Sequence, residues 1–488
     1  MASITRKMCT CQVCNNAKIV LDNIFNILNS YGWLLDAYIV DFFHDDLWSK
    51  LPEAWKTLLV NVSPEDLGSF ILGESTCNCV WPLSLLALRK VIGMLEINRE
   101  PGDKVKFVCA ASILNYDSIA NCTDDKLNSI KFKNEYEKHF RKHIKEKKRH
   151  EIDKFAKICA KCSYLSKCEC IIDTGAGLGH LARELTYKYN LPVICIEQNK
   201  SLSDLAEKHD KQLQQILKKQ LNINLPSKSP YHMCAKIIDK NSEQIKLIED
   251  FNAIITKKFE LDVINVRYGL IGLHPCGDLA STLLKLYVKQ DAIKFISVVG
   301  CCYMKLTVRE NNDTNSVGYP LSNYVSNKYG NNLSYAALEV SCHAIENYCD
   351  KMKKGQYNDL KVHAFRAALE MILINKYGML IKHSRVTSVK VKDDMTFSQY
   401  CKLATAKFTD DKQLTDIDIE HPKVLKCLKL WRRVVLFEAI RFMLAPLVET
   451  AVLLDRFLYL SDNGLKPILK AEFDPRRSPR NFVLMSIK

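Results

Sequence analysis

The chain has 488 residues, 47% apolar and 26% charged, which suits a globular protein of about three average domains or one elaborated α/β domain. Its net charge of +15 favours an anionic partner, nucleic acid first and acidic protein or a membrane surface after it. Twenty cysteines spread through so long a chain exclude a small disulfide scaffold; Arg6 and Lys7 without an apolar run after them, and Val434–Leu460 broken by Glu438, Arg441, Pro446, Glu449, Asp455 and Arg456, leave a soluble protein of the cytoplasm or nucleus as the expectation, with no membrane role.

Residues 1–125 read as helical. Ile19–Leu28, Leu34–Phe43 and Leu83–Leu95 place apolar residues three and four apart, with Leu51-Pro52 and Val62-Ser63-Pro64 as breakers. Cys9, Cys11 and Cys14, with Cys77 and Cys79, lack a regular pairing of C-x-x-C units and read as free thiols rather than a zinc site. From Lys131 to Arg149 the chain carries nine Lys/Arg against three acids, while Tyr136, Phe140 and Ile144 give this basic helix one packed face. A charge run is most often a solvated face; leading into the next unit, Lys147, Lys148 and Arg149 are also candidates to touch substrate or cofactor, with RNA as the partner they suit. Cys159, Cys162, Cys168 and Cys170 read as packing thiols, because Cys170 opens a buried strand, and no metal ligand is assigned anywhere.

The richest stretch follows, Cys170-Ile171-Ile172-Asp173-Thr174-Gly175-Ala176-Gly177-Leu178-Gly179-His180-Leu181. A short apolar strand delivers an acid and three alternating glycines into a helix start, where the backbone turns tightly and free N–H groups face a ligand. A dinucleotide site wants G-x-G-x-x-G, and here the third glycine comes one residue early. The pattern Asp-x-Gly-x-Gly-x-Gly instead resembles the first motif of class I methyltransferases that use S-adenosylmethionine. After a helix over Leu181–Tyr189, the strand Leu191–Glu197 ends in an acid about twenty residues beyond the glycines, placing Glu197 to take both ribose hydroxyls. Asp173, Gly175, Gly177, Gly179 and Glu197 are therefore the expected cofactor residues.

Lys200–Leu221 is a charged helix and Tyr231–Asp239 a possible third strand. Asp239 reads as a surface acid, with an adenine amino group as its other partner. The apolar run Leu261–Gly272 ends in Leu273-His274-Pro275-Cys276-Gly277-Asp278-Leu279-Ala280, and Phe295–Val299 ends in Gly300-Cys301-Cys302-Tyr303-Met304-Lys305. A parallel sheet presents its crevice at the carboxyl ends of its strands, so His274, Asp278, Cys302 and Tyr303 are expected to border the methyl acceptor; Asp278 capping the following helix is the alternative. The Asn/Asp-Pro-Pro-aromatic motif of adenine N6 methylases is missing. Val308–Leu430 is a mostly helical insertion, and Pro467–Asp474 with Asn481–Ile487 alternate as a closing hairpin around Pro475-Arg476-Arg477-Ser478-Pro479-Arg480. The expected segments are thus 1–125, a core over 126–307, the insertion 308–430, and a return to the core over 431–488.

Trp81-Pro82-Leu83-Ser84-Leu85, Lys147-Lys148-Arg149-His150-Glu151, Asp173–Gly179, Leu273–Ala280, Gly300–Lys305, Gly318-Tyr319-Pro320-Leu321-Ser322, Asp474-Pro475 and Ser478-Pro479-Arg480-Asn481 follow one another in an order that resembles the methyltransferase-like 25 family, also described as ribosomal RNA adenine dimethylase domain-containing proteins. The resemblance implies an S-adenosylmethionine-dependent methyltransferase with a Rossmann-like class I α/β sheet closed by an antiparallel hairpin. The layout of His274–Ala280 with Cys301-Cys302 is also similar to the Cys-Gly and Cys-Cys motifs of a tRNA 2′-O-methyltransferase family, which implies RNA as substrate, at a ribose hydroxyl or a base. A protein or small-molecule acceptor, or a binding scaffold that has lost its chemistry, are the competing readings.

Overall fold

The computed structural model describes residues 8–74, 79–102, 107–127, 144–221, 229–260, 266–308, 318–391, 395–409 and 414–488. Most of the basic run before Ile144, together with Cys77 and positions 261–265, lies outside them. The chain forms two compact units, one of Met1–Phe25, Ile97–Asn332 and Thr450–Lys488, the other of Asn26–Glu96 and Leu333–Glu449. The expected segments 1–125 and 308–430 are each divided between them.

The first unit is built on an eight-stranded sheet. Its strands are β1 (Phe107–Val108), β2 (Cys170–Thr174), β3 (Val193–Glu197), β4 (Tyr231–Cys234), β5 (Tyr268–Cys276), β6 (Ile293–Cys301), β7 (Pro467–Ala471) and β8 (Phe482–Ile487), in the order β1-β7-β8-β6-β5-β2-β3-β4. The strands from β4 to β6 are parallel, and β8 runs antiparallel to both β6 and β7. This is the expected Rossmann-like sheet closed by an antiparallel hairpin; β1, antiparallel to β7, is an added edge strand. β2, β5 and β6 are buried along nearly their whole length, as strands covered on both faces must be, and so read as continuous apolar runs.

Two boundaries differ from expectation. The third strand stops at Cys234 rather than Asp239: Ala235 still donates to the Glu197 carbonyl, and beyond it Asp239 is held 2.8 Å from Lys285, on the helix Asp278–Lys289. The helix after the glycine loop is α-helical only over His180–Arg183 and continues as a π turn to Lys188.

The second unit is helical, with no strand among its described residues. Its core gathers along the helix Tyr357–Tyr377, where Ala368, Leu369, Ile372 and Leu373 pack with Phe397, Tyr400, Ile419 and Val424.

No helix among the described residues is long and apolar enough to cross a membrane.

Candidate active site

The chain builds β2, β3 and β4 outward on one side and then crosses to β5 and β6 on the other, so the switch in strand order falls between β2 and β5. A ligand crevice opens at the carboxyl ends of such neighbours. A cleft of about 690 Å³ lies there, lined among others by Gly175, Glu197, Gln198, His274, Cys276 and Asp278. Its size suits a nucleoside-sized ligand.

Of the glycine loop, Gly175 lines the cleft, while Asp173, Gly177 and Gly179 stand behind it and are not among its lining residues. Gly175, Gly177 and Gly179 have φ of +66°, +55° and +70°. These left-handed conformations cost other residues about 1–2 kcal/mol, and a Cβ at Gly179 would also lie 2.7 Å from His232. Arg183 braces the loop from behind by donating to the Leu178 carbonyl, and is fixed in turn by the buried Asp210, which also takes His232 at 2.6 Å. Glu197 turns its carboxylate back on the loop, with Oε2 accepting the Gly177 amide at 3.0 Å and Oε1 the Asn199 amide at 2.9 Å. Each oxygen keeps a lone pair for a diol. Beneath the loop Asp173 is 2% exposed, and its Oδ2 has no hydrogen-bond partner among the described residues. Burial pushes this carboxyl up to about 7, against the pull of Lys148 and with the push of Glu197.

The other wall comes from the end of β5, the start of the helix after it and Lys305. Leu273 faces Val299 and Cys276 faces Cys301, so two residues of β5, His274 and Pro275, stand against Gly300 alone. That bulge puts His274 at φ +67° and re-aims its ring. The imidazole Nε2 lies 2.9 Å from the Glu151 carboxylate, which also accepts from Ser478. Burial pushes the Glu151 carboxyl up, but the hydrogen bond and charge of His274, with Ser478, outweigh it and hold the group below the usual glutamate range. With Nε2 donating to Glu151, Nδ1 is the acceptor nitrogen. Glu151 is a residue that sequence reasoning missed as a site member; it lies in the Lys147–Glu151 motif, where the basic residues rather than the acid were the candidates to touch substrate or cofactor.

Three thiols meet beside this wall, Cys276 Sγ lying 3.2 Å from Cys301 and 3.5 Å from Cys302. Hydrogen bonding from Cys301 overcomes burial and, with Cys302 and the nearby Lys305 and His274 charges, lowers Cys276 to about 5. Cys276 is also exposed. We expect its alkylation by iodoacetamide to be fast and nearly flat over roughly pH 6 to 8, where an ordinary thiol gains about tenfold per unit. Mass-spectrometric mapping of the modified peptide checks this, and a steep rise at Cys276 would refute it.

The four expected acceptor residues are not equivalent. His274 and Asp278 line the cleft, and Cys302, at φ +51°, touches Cys276. Asp278 opens the helix Asp278–Lys289, but its carboxylate accepts the Thr307 amide and hydroxyl, at 2.7 and 2.5 Å, and so tethers the segment after β6. Tyr303 corrects the expectation of a pocket wall: it is 1% exposed, with the Arg456 and Arg480 guanidinium groups 5.6 and 5.9 Å from its ring. Asp239 lines the cleft as an ion-paired, largely covered acid rather than a surface one. Cys159, Cys162 and Cys170 are buried as packing thiols. Lys147 and Lys148 are exposed and Arg149 half-buried at the start of the helix Glu146–Ser166, and none of the three lines the cleft, although the Lys148 charge is felt at Asp173.

Residues 147–309 match the model of a methyltransferase domain family. The chain is 26% identical over 230 residues to a mouse protein named probable methyltransferase-like protein 25, covering 45% of this chain and 37% of that one. A human protein of the same name is 28% identical over 267 residues, 52% of this chain and 42% of its own length. The chain thus spans about two fifths of the length of the curated relatives it matches. No solved structure matches it.

Proposed function

We propose that this chain, which carries a class I methyltransferase domain and is related to the methyltransferase-like 25 proteins, binds S-adenosylmethionine in the cleft at the β2/β5 switch and transfers its methyl group to RNA. One observation carries the cofactor: a buried carboxylate oxygen of Asp173 lacks a partner among the described residues beneath three left-handed glycines, with Glu197 at the cleft wall. A donor on a ligand in the cleft would satisfy that oxygen. The residues present fit the group. Asp173 answers a cationic ammonium, Glu197 a ribose diol, and Gly175, Gly177 and Gly179 the close approach of backbone to ligand. When bound, S-adenosylmethionine supplies a methyl group activated by its sulfonium.

The chain's own residues then have limited work. They hold the acceptor in line and, for a hydroxyl acceptor, remove its proton. His274 Nδ1 is the base that the geometry offers, and Glu151 is the positioning residue that fixes its tautomer. Cys302 borders the acceptor side, and Asp278 secures the segment after β6. RNA as acceptor is supported by the net charge of +15 and the exposed Lys147 and Lys148.

The test is incubation of the full chain with methyl-labelled S-adenosylmethionine and cellular extract fractions, reading label before and after RNase. RNase-sensitive label, lost in His274→Ala while that variant still binds cofactor, is the expected result. Label only in RNase-resistant material would move the acceptor to protein or small molecules, and cofactor binding without transfer to any fraction would make the domain a scaffold.

A further inference from the structure

Cys9, Cys11 and Cys14 stand at the start of the helix Gln12–Leu35, and Cys109 follows the added edge strand β1, 98 positions beyond Cys11. The first three were expected as free thiols, and all four are unbridged cysteines that the fold brings together. All four sulfurs lie within 4.8 Å of one another: Cys9 to Cys109 is 3.5 Å, Cys11 to Cys14 is 3.5 Å and Cys11 to Cys109 is 3.9 Å. Four sulfurs around one zinc ion, each about 2.3 Å from it, sit about 3.8 Å apart at the corners of a tetrahedron.

The spacings argue against the other ways of using cysteines here. A disulfide brings its sulfurs to about 2.05 Å and takes them in pairs, whereas these four meet as a group. An iron–sulfur cluster holds its cysteine sulfurs farther apart, because iron and sulfide lie between them. Hard cations such as magnesium and calcium want oxygen ligands, whereas four thiolates in tetrahedral spacing suit zinc. Packing alone is a poor account, since Cys9 and Cys11 are only partly buried and an aliphatic residue would fill such a place as well.

The surroundings suit thiolates. The Ala110 amide points at Cys11 Sγ from 3.5 Å, and the Ser461 hydroxyl lies 3.2 Å from Cys14 Sγ. Donors of this kind support metal-bound sulfur. The cluster also has something to join. The Cys109 amide donates to the Pro467 carbonyl in β7, and the Cys9 amide to Ser461 in the helix before it.

We infer that Cys9, Cys11, Cys14 and Cys109 form a structural zinc site that fastens the N-terminal segment to the β1/β7 edge of the methyltransferase sheet. The site is separate from the cleft and from the Cys276, Cys301 and Cys302 trio. Binding releases thiol protons, so occupancy weakens in acid.

The test uses the full chain expressed with zinc and purified under reducing conditions. Elemental analysis is expected to find about one zinc per chain, absent from Cys11→Ser and Cys109→Ser and retained in Cys301→Ser. Loss of zinc in Cys301→Ser but not in Cys109→Ser would assign the metal to the other trio and overturn the inference. Should the serine variants fail to fold, cobalt titrated into zinc-stripped wild-type chain decides. Strong visible bands of tetrahedral cobalt with near-ultraviolet thiolate charge transfer, at about one equivalent, support the site. A featureless titration, or a Cys11–Cys109 crosslink in the unreduced protein, overturns it.

Discussion

Replacing Gly177 with arginine is expected to abolish saturable binding of S-adenosylmethionine to a protein that remains folded. The backbone there is at φ +55°, which costs an L side chain about 1–2 kcal/mol, and a Cβ meets no atom of the described residues within 4 Å. The strain alone is a small part of a stability of about 5–15 kcal/mol. The long side chain would then fill the space before the loop that the cofactor needs, while its cation repels the sulfonium. Isothermal titration with far-ultraviolet circular dichroism as the folding control measures both halves. Unchanged affinity in a folded Gly177→Arg chain would remove the glycine loop from the cofactor site.

Asp173 should make cofactor affinity depend on pH. In the free protein its carboxyl titrates at about 7 because burial disfavours the charge. An ammonium beside it favours the ionised form, so binding releases a proton. Affinity should therefore rise between about pH 5 and 7 and level off above. Stability of the free protein should move the opposite way. The folded value exceeds the unfolded value of about 3.9, so the contribution present at low pH is lost as pH rises through about 7. Asp173→Asn is expected to flatten both profiles and to weaken binding at pH 8 by roughly ten- to a hundredfold, as a hydrogen bond to a charged group worth about 1.5–3 kcal/mol implies. Calorimetry in buffers of different ionisation enthalpy reads the proton release directly. An affinity independent of pH in wild type would show that Asp173 does not answer the ligand's charge.

The parts of this molecule that were legible in the sequence are those whose signal is local. Asp173–Gly179 announced a loop because only glycine takes three left-handed turns in five residues cheaply. The closing hairpin showed in the alternation on either side of Pro475–Arg480, and the acid at the end of β3 in a spacing that any strand-helix-strand unit imposes. The rest depended on distant partners. Glu151 reaches His274 across 123 positions, and nothing in a run of lysines and arginines marks one glutamate as facing inward. Tyr303 followed a strand end as a pocket residue would, yet its ring lies against Arg456 and Arg480, brought from far along the chain. The Asp278 carboxylate was captured by Thr307, and Cys109 met Cys9 and Cys11 only because β1 pairs with β7. Local periodicity carries no information about such meetings.

The place of β8 bears on how the protein is made. β8 fills the slot between β6 and β7, with Met485 opposite Ser297. A ribosome completes β6 at Cys301 and must then extend the chain through residues 302–481 before the strand that covers that edge emerges. For that whole interval the nascent sheet offers an apolar, hydrogen-bond-hungry margin in what will become its middle, the kind of surface that pairs with any extended chain nearby. Its yield in a cell should therefore depend on chaperones that shield the margin until translation catches up.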